Sequence, residues 1–251
     1  MPPRIGIIGG SGVERPEAGF TETVVDTPYG EALAWIGSGE NADVVFLSRH
    51  GVEHGVPPHK INYRANVKAL QQLGVDRVIA TFAVGGIADD IPPGGVVAVD
   101  DAIDFTSGRE STFFDGGESG LKHTPFTKAF SPKLREALVA KAPAHGLAIR
   151  PTGTYICFNG PRFETAAEIR MGRLLGADVV GMTAMPEAIL ARELGIHYGG
   201  IAVSVNWAAG IEATLTLDFS ALEAIRGKLL PLILDVLRTT ELDASALREG
   251  H

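Results

Sequence analysis

Gly9, Gly10, Ser11 and Gly12 follow the apolar run Ile5–Ile8, an order that suits a buried strand ending in a loop able to approach an anion. A dinucleotide pyrophosphate, a nucleoside triphosphate and a free phosphate all use such loops. The dinucleotide fingerprint needs glycine at i, i+2 and i+5 at the start of a helix. Counting from Gly10 gives Gly12 and then Arg15, and the following VERPEAGFTET shows no helical stripe. Asp26 stands in the range of a ribose-binding acid, a weak signal alone. No Gly-Lys-Ser/Thr follows, so a Walker loop is excluded. Two readings stay open: a tight strand-to-loop turn, or a small nest of N–H groups with the Ser11 hydroxyl for one phosphate.

Other runs end on residues suited to the same anion. Arg49 and His50 follow VVFLS, where a guanidinium offers two parallel donors and an imidazole a third. TFAVGG and MTAMPE place backbone N–H groups, and Thr183 a hydroxyl, just past two further runs. In open α/β sheets the ligand crevice lies at the carboxyl ends of the strands. A lone strand-end arginine is usually a solvated charge; recurrence at several strand ends points to a site.

Positioning these residues requires an alternation of strands and helices. Strands are expected at 44–48, 76–86, 94–104, 177–182 and 196–206, and helices at 64–74, 131–146, 162–176, 186–195 and 218–242. Ser131 before Pro132 is a helix-start signal, and Pro231 predicts a kink in the last helix. The pattern predicts one α/β domain over 1–251, a mixed, largely parallel twisted sheet flanked by helices. Residues 105–127 form the longest stretch without periodicity, and loops of that length are usually functional.

Composition narrows the partners. The formal charge is −8 and no Lys/Arg run exists, which argues against nucleic acid. No stretch nears the ~20 apolar residues of a membrane span. Seven scattered histidines and a single cysteine, Cys157, form no metal-ligand pattern. One cysteine, with no leader-like start, fits a cytoplasmic protein.

The segments IGIIGGSGV, SRHG, KINYRANVKAL, GPRFETAAEIR, GADVVGMTAMPEAILARELGI and AVSVN resemble the trimeric purine nucleoside phosphorylase and methylthioadenosine phosphorylase family, over about residues 4–238. The resemblance implies the nucleoside phosphorylase fold and reversible phosphorolysis in purine salvage: phosphate attacks C1′ of a nucleoside as the purine leaves. Phosphate is a co-substrate, and no metal or cofactor is implied. Such chemistry rests on orientation and electrostatics. Carried over by position, Ser11, Arg49, His50 and Thr183 hold phosphate, with backbone at Phe82 and Ala83. The family usually has Asn or Thr where Phe82 stands, so only the backbone role transfers. Met182 lies against the ribose and Phe163 against the purine, with Trp207 and Ala208 beside Asn206. Catalytic roles fall to Asn206 and His50. A homotrimer or dimer of trimers is implied, with His123 reaching a neighbouring subunit's site.

Glu164 and Asn206 address the base. The methylthioadenosine branch carries Ser and an N7-protonating Asp there, whereas the 6-oxopurine branch carries Glu and Asn. A carboxylate accepts N1–H of a 6-oxopurine but faces a lone pair at N1 of adenine. The Asn amide donates to O6 or N7 but supplies no proton. Separately, Glu164 reads as a helix N-terminal charge and Asn206 as a turn residue. The sugar is less constrained. TLTLDFSALEAI contains no histidine for a 5′-hydroxyl, and Phe219 and Leu222 offer an apolar wall suited to a methylthio group. The expected activity is phosphorolysis of inosine and guanosine, with S-methyl-5′-thioinosine the alternative and methylthioadenosine a weaker one. A non-catalytic purine-binding module and a nicotinamide oxidoreductase are the rivals from other classes.

Overall fold

The structure, a computed structural model, describes residues 4–16, 18–51, 55–214 and 216–243. The chain opens with β1 (Arg4–Gly9), β2 (Phe20–Thr27), β3 (Gly30–Gly37), β4 (Val44–Ser48), α1 (Tyr63–Gln72) and β5 (Val75–Gly86). It continues through β6 (Val96–Val99), β7 (Asp101–Asp104), α2 (Pro132–Lys141), β8 (Thr154–Cys157) and α3 (Ala166–Leu174). The last elements are β9 (Val179–Gly181), α4 (Ala184–Glu193), β10 (His197–Trp207) and α5 (Ser220–Thr239).

One mixed sheet holds all ten strands, with the path β2-β3-β4-β1-β5-β9-β8-β7 and β10 joining β5 to β6. Pairings β1–β4, β1–β5, β5–β10, β7–β8 and β8–β9 are parallel. The region 94–104 is two strands rather than one: β6 pairs with β10 and β7 with β8, the chain changing partners at Asp100. The antiparallel hairpin β2–β3 and the short β8 were not anticipated.

Strand alternation divides β1 between two helical layers. Ile5 and Ile7 pack with Leu134 and Leu138 of α2 and Leu229, Leu232 and Ile233 of α5. Ile8 faces Val67 and Leu70 of α1 and Ala188 and Leu190 of α4. Each such side chain, fully buried, contributes about 1.5–3 kcal/mol.

Local signals set the helix ends. The Asn62 side chain accepts from Ala65 N and starts α1. Thr165 and Glu168 form a reciprocal capping box, so α3 begins at Ala166, later than expected. Ser131 stands before Pro132 as read, but its side chain makes no cap bond. α2 ends at Lys141, and a short 3-10 turn covers the rest of the expected helix. α5 runs as one helix through Pro231, as the long C-terminal helix was read. Pro231 sits on its exposed side, four residues after exposed Gly227, the residue whose carbonyl a helical N–H at 231 would have met.

Candidate active site

A cavity of about 310 Å³ opens where β1, β4, β5, β9 and β10 end. Ser11 enters from the loop after β1, His50 from the loop after β4, and Ala83, Val84 and Gly85 from β5. Met182 and Thr183 follow β9, Val205 and Asn206 close β10, and Phe163 and Glu164 precede α3.

The two base-reading candidates share this cavity. Glu164 is buried, and among the described residues its Oε1 has no hydrogen-bond partner. Burial raises its pKa, because desolvation disfavours the carboxylate, while its own backbone N–H opposes the rise. Asn206 is also buried, and its Nδ2 donates one hydrogen to Trp207 O at 2.7 Å. A carboxylate acceptor and an amide with a second N–H thus meet one ligand volume, with half-exposed Phe163 beside them.

The same cavity is lined by hydroxyls and an imidazole. Thr183 lines the cavity, and its backbone N–H donates to Tyr155 Oη at 3.3 Å. His50 Nδ1 lies 2.9 Å from Val56 O, which fixes a proton on that nitrogen. Its Nε2 is then an acceptor in the neutral ring and a donor in the imidazolium. The glycine loop is built differently from an open nest. Gly10 N donates to Thr81 Oγ1, Gly12 N to Glu14 Oε1, and Val13 N to Gly10 O. Three of the expected N–H groups are therefore committed inside the protein, and the loop presents Ser11 to the cavity.

Residues 4–233 match the family described as the phosphorylase superfamily. The chain belongs to that superfamily. A 6-oxopurine nucleoside phosphorylase of Pyrococcus furiosus is 49% identical over 232 residues, which cover 90% of this chain and 88% of that protein. A probable S-methyl-5'-thioinosine phosphorylase of Thermodesulfovibrio yellowstonii is 46% identical over 211 residues, covering 83% and 79%. The solved methylthioadenosine phosphorylase from Schistosoma mansoni in complex with tubercidin aligns at a TM-score of 0.86 and 30% identity, covering 94% of this chain and 91% of that one. The fold is thus the nucleoside phosphorylase fold, and the chain is a pentosyltransferase.

Within this phosphorylase, Ser11, His50, Ala83, Phe163, Glu164, Met182, Thr183, Asn206 and Phe219 converge on the cavity, and six other expected residues do not. Arg49 is buried one layer behind. Its Nε and Nη2 bind Glu187 at 2.8 Å each, and Nη1 donates to Thr81 O at 2.9 Å. Desolvation works against the Arg49 charge, and Glu187 more than restores it, holding the pKa above its ordinary value. Phe82 points to the other face of β5, where it meets Tyr155 and lies under the Arg49 guanidinium. Leu222 is core: a Cβ on Gly12 would come 2.3 Å from its Cδ2, so it packs under the glycine loop while Leu217 takes the wall position. Trp207 and Ala208 lie behind Asn206, and His123 is exposed, outside the cavity of one chain.

Glu187 and Thr81 were not singled out by sequence. Glu187 carries the site's second layer, accepting from Arg49 and, at 2.6 Å, from Tyr198 Oη. The sequence signal is a carboxylate in the first turn of α4, just ahead of the apolar run 188–191.

Proposed function

We propose that this phosphorylase cleaves 6-oxopurine nucleosides, inosine and guanosine, with inorganic phosphate, giving free base and ribose 1-phosphate. The observation that carries the reading is the buried, unpartnered Glu164 Oε1 in the same cavity as the Asn206 amide. A 6-oxopurine offers N1–H to that oxygen, while adenine presents a lone pair. In the reaction a phosphate oxygen bonds to C1′ as the C1′–N9 bond breaks, and the bonding pair leaves with the base. Asn206 donates to O6 or N7 and stabilises that charge; removing such a donor costs roughly 10²–10³ in rate. Ser11, Thr183 and His50 orient phosphate, with the Ala83 backbone beside them. Arg49 acts from behind the loop, and Met182 lies against the ribose. No metal or organic cofactor takes part.

The decisive assay measures base release with and without phosphate from inosine, guanosine, adenosine, methylthioinosine and methylthioadenosine. Phosphate-dependent release from the 6-oxopurines is expected. Faster release from the adenine compounds overturns the base assignment, and release by water alone indicates a hydrolase.

A second reading, S-methyl-5′-thioinosine as substrate, is favoured by Leu217 and Phe219 in the wall. The same assay separates the two sugars. The enzyme is further proposed to act in the cytoplasm, in purine salvage, as a homotrimer or dimer of trimers. Exposed Leu121 and Phe105, on the segment that carries His123, support a subunit contact there.

A further inference from the structure

We infer that Arg109, in the long segment between β7 and α2, is a positioning residue that locks the base-binding and phosphate-binding loops into one frame. The inference rests on the proposed phosphorylase site. Arg109 Nη2 donates to Met182 O at 2.8 Å and Asn159 O at 2.9 Å, and reaches Phe158 O at 3.5 Å. Its Nη1 donates to Met185 O and, at 3.0 Å, to Tyr63 Oη. The guanidinium also lies over the Tyr63 ring, 5.2 Å from its centroid. Among the described residues its partners are four carbonyls and one hydroxyl, with no carboxylate.

These carbonyls belong to two of the loops that carry cavity-lining residues. Phe158 and Asn159 lead from β8 to Pro161, Phe163 and Glu164, while Met182 and Met185 flank Thr183. The second loop cannot satisfy itself. Pro186 has no N–H, so no helical turn closes back onto Met182 O. Met185 is non-helical, at φ −115° and ψ 135°. Arg109 supplies the missing donors from a third segment. A planar fork is needed to span both loops, which the compact charge of lysine does not do.

The test compares Arg109→Lys with Arg238→Ala, a remote ion-pair variant that serves as a stability control. Hydrogen exchange is followed in residues 158–164 and 182–186, and kcat and the KM values for phosphate and inosine are measured well below each Tm. Arg109→Lys is expected to speed exchange in both segments. It should also raise both KM values and lower kcat, for a roughly tenfold or greater loss of kcat/KM, since small misplacements of reacting groups are that costly. Arg238→Ala should change Tm alone. Unchanged exchange in the two segments, or kinetic constants like wild type, overturns the inference. Should Arg109→Lys not fold, Tyr63→Phe, which removes one anchor of the guanidinium, must loosen the same segments for the inference to stand. A wild-type enzyme without phosphate-dependent cleavage defeats the proposed function, and the exchange comparison alone then decides the role of Arg109.

Discussion

In the proposed reading Glu164 and Asn206 divide recognition of the purine between an acceptor and a donor, and neither is replaceable by its partner. Asn206→Asp introduces a group able to carry a proton to N7, and Glu164→Ser removes the acceptor that opposes adenine N1. The double variant is expected to shift the ratio of kcat/KM for adenosine over inosine toward adenosine by roughly 10³-fold, the scale on which mismatched polar pockets discriminate. An unchanged ratio would remove both residues from the specificity role. Alone, a carboxylate beside a helix start and an amide ending a strand read as a helix N-terminal charge and a turn residue; these two positions were singled out by the resemblance of GPRFETAAEIR and AVSVN. Glu187, Thr81 and Arg109 were not, because their partners are remote in sequence. Arg49 and Glu187 are 138 residues apart, and nothing along the chain pairs them. Arg49 packs behind the cavity on Glu187, with its Nη1 beside Gly10 of the glycine loop.

At the scale of elements, the glycine loop and the start of α5 are one packing unit. Gly12 has φ +83°, a conformation that favours glycine, and any Cβ there collides with Leu222. Gly12→Ala should therefore displace either the loop or the first turn of α5, at about 1–3 kcal/mol for the overpacking. The expected outcome is a lower Tm together with a raised KM for phosphate, read from thermal melts and phosphate titrations. A lower Tm with an unaltered phosphate KM would detach the loop from phosphate binding. Elements with continuous apolar runs, such as β1, β4, β5 and β10, were visible in the sequence because both their faces are buried. The hairpin β2–β3 escaped because β2 is polar and half exposed, its order fixed by pairing with β3 rather than by its own pattern. β8 is too short at four residues to show a period.

Over the whole molecule, carboxylates of two kinds set the dependence of stability on pH. Asp43 is held below its ordinary value by Arg238, Asp235 by His145 and Lys141, and Glu168 by Arg162, down to about 2. A carboxyl lowered in the fold stabilises above its unfolded pKa and loses that contribution as pH falls through the folded one. Two of these contacts fasten α5, to the segment before β4 and to α2. Each is substantially exposed and individually small, so the effect is their sum. Glu164 runs the other way. Burial raises its pKa above the ordinary 4.5 of a glutamate, so the folded state holds its proton where the unfolded state has released it. That group's contribution is present below 4.5 and is lost as pH rises through its raised value. Urea midpoints should therefore fall steadily from pH 4.5 toward 2. On the upper side, wild type should lose a little stability just above pH 4.5, while Glu164→Gln, which cannot ionise, should not. Parallel curves for the two proteins above pH 4.5 would mean that Glu164 is not desolvated in the folded state. The buried acceptor on which the choice of purine depends would then be lost with it.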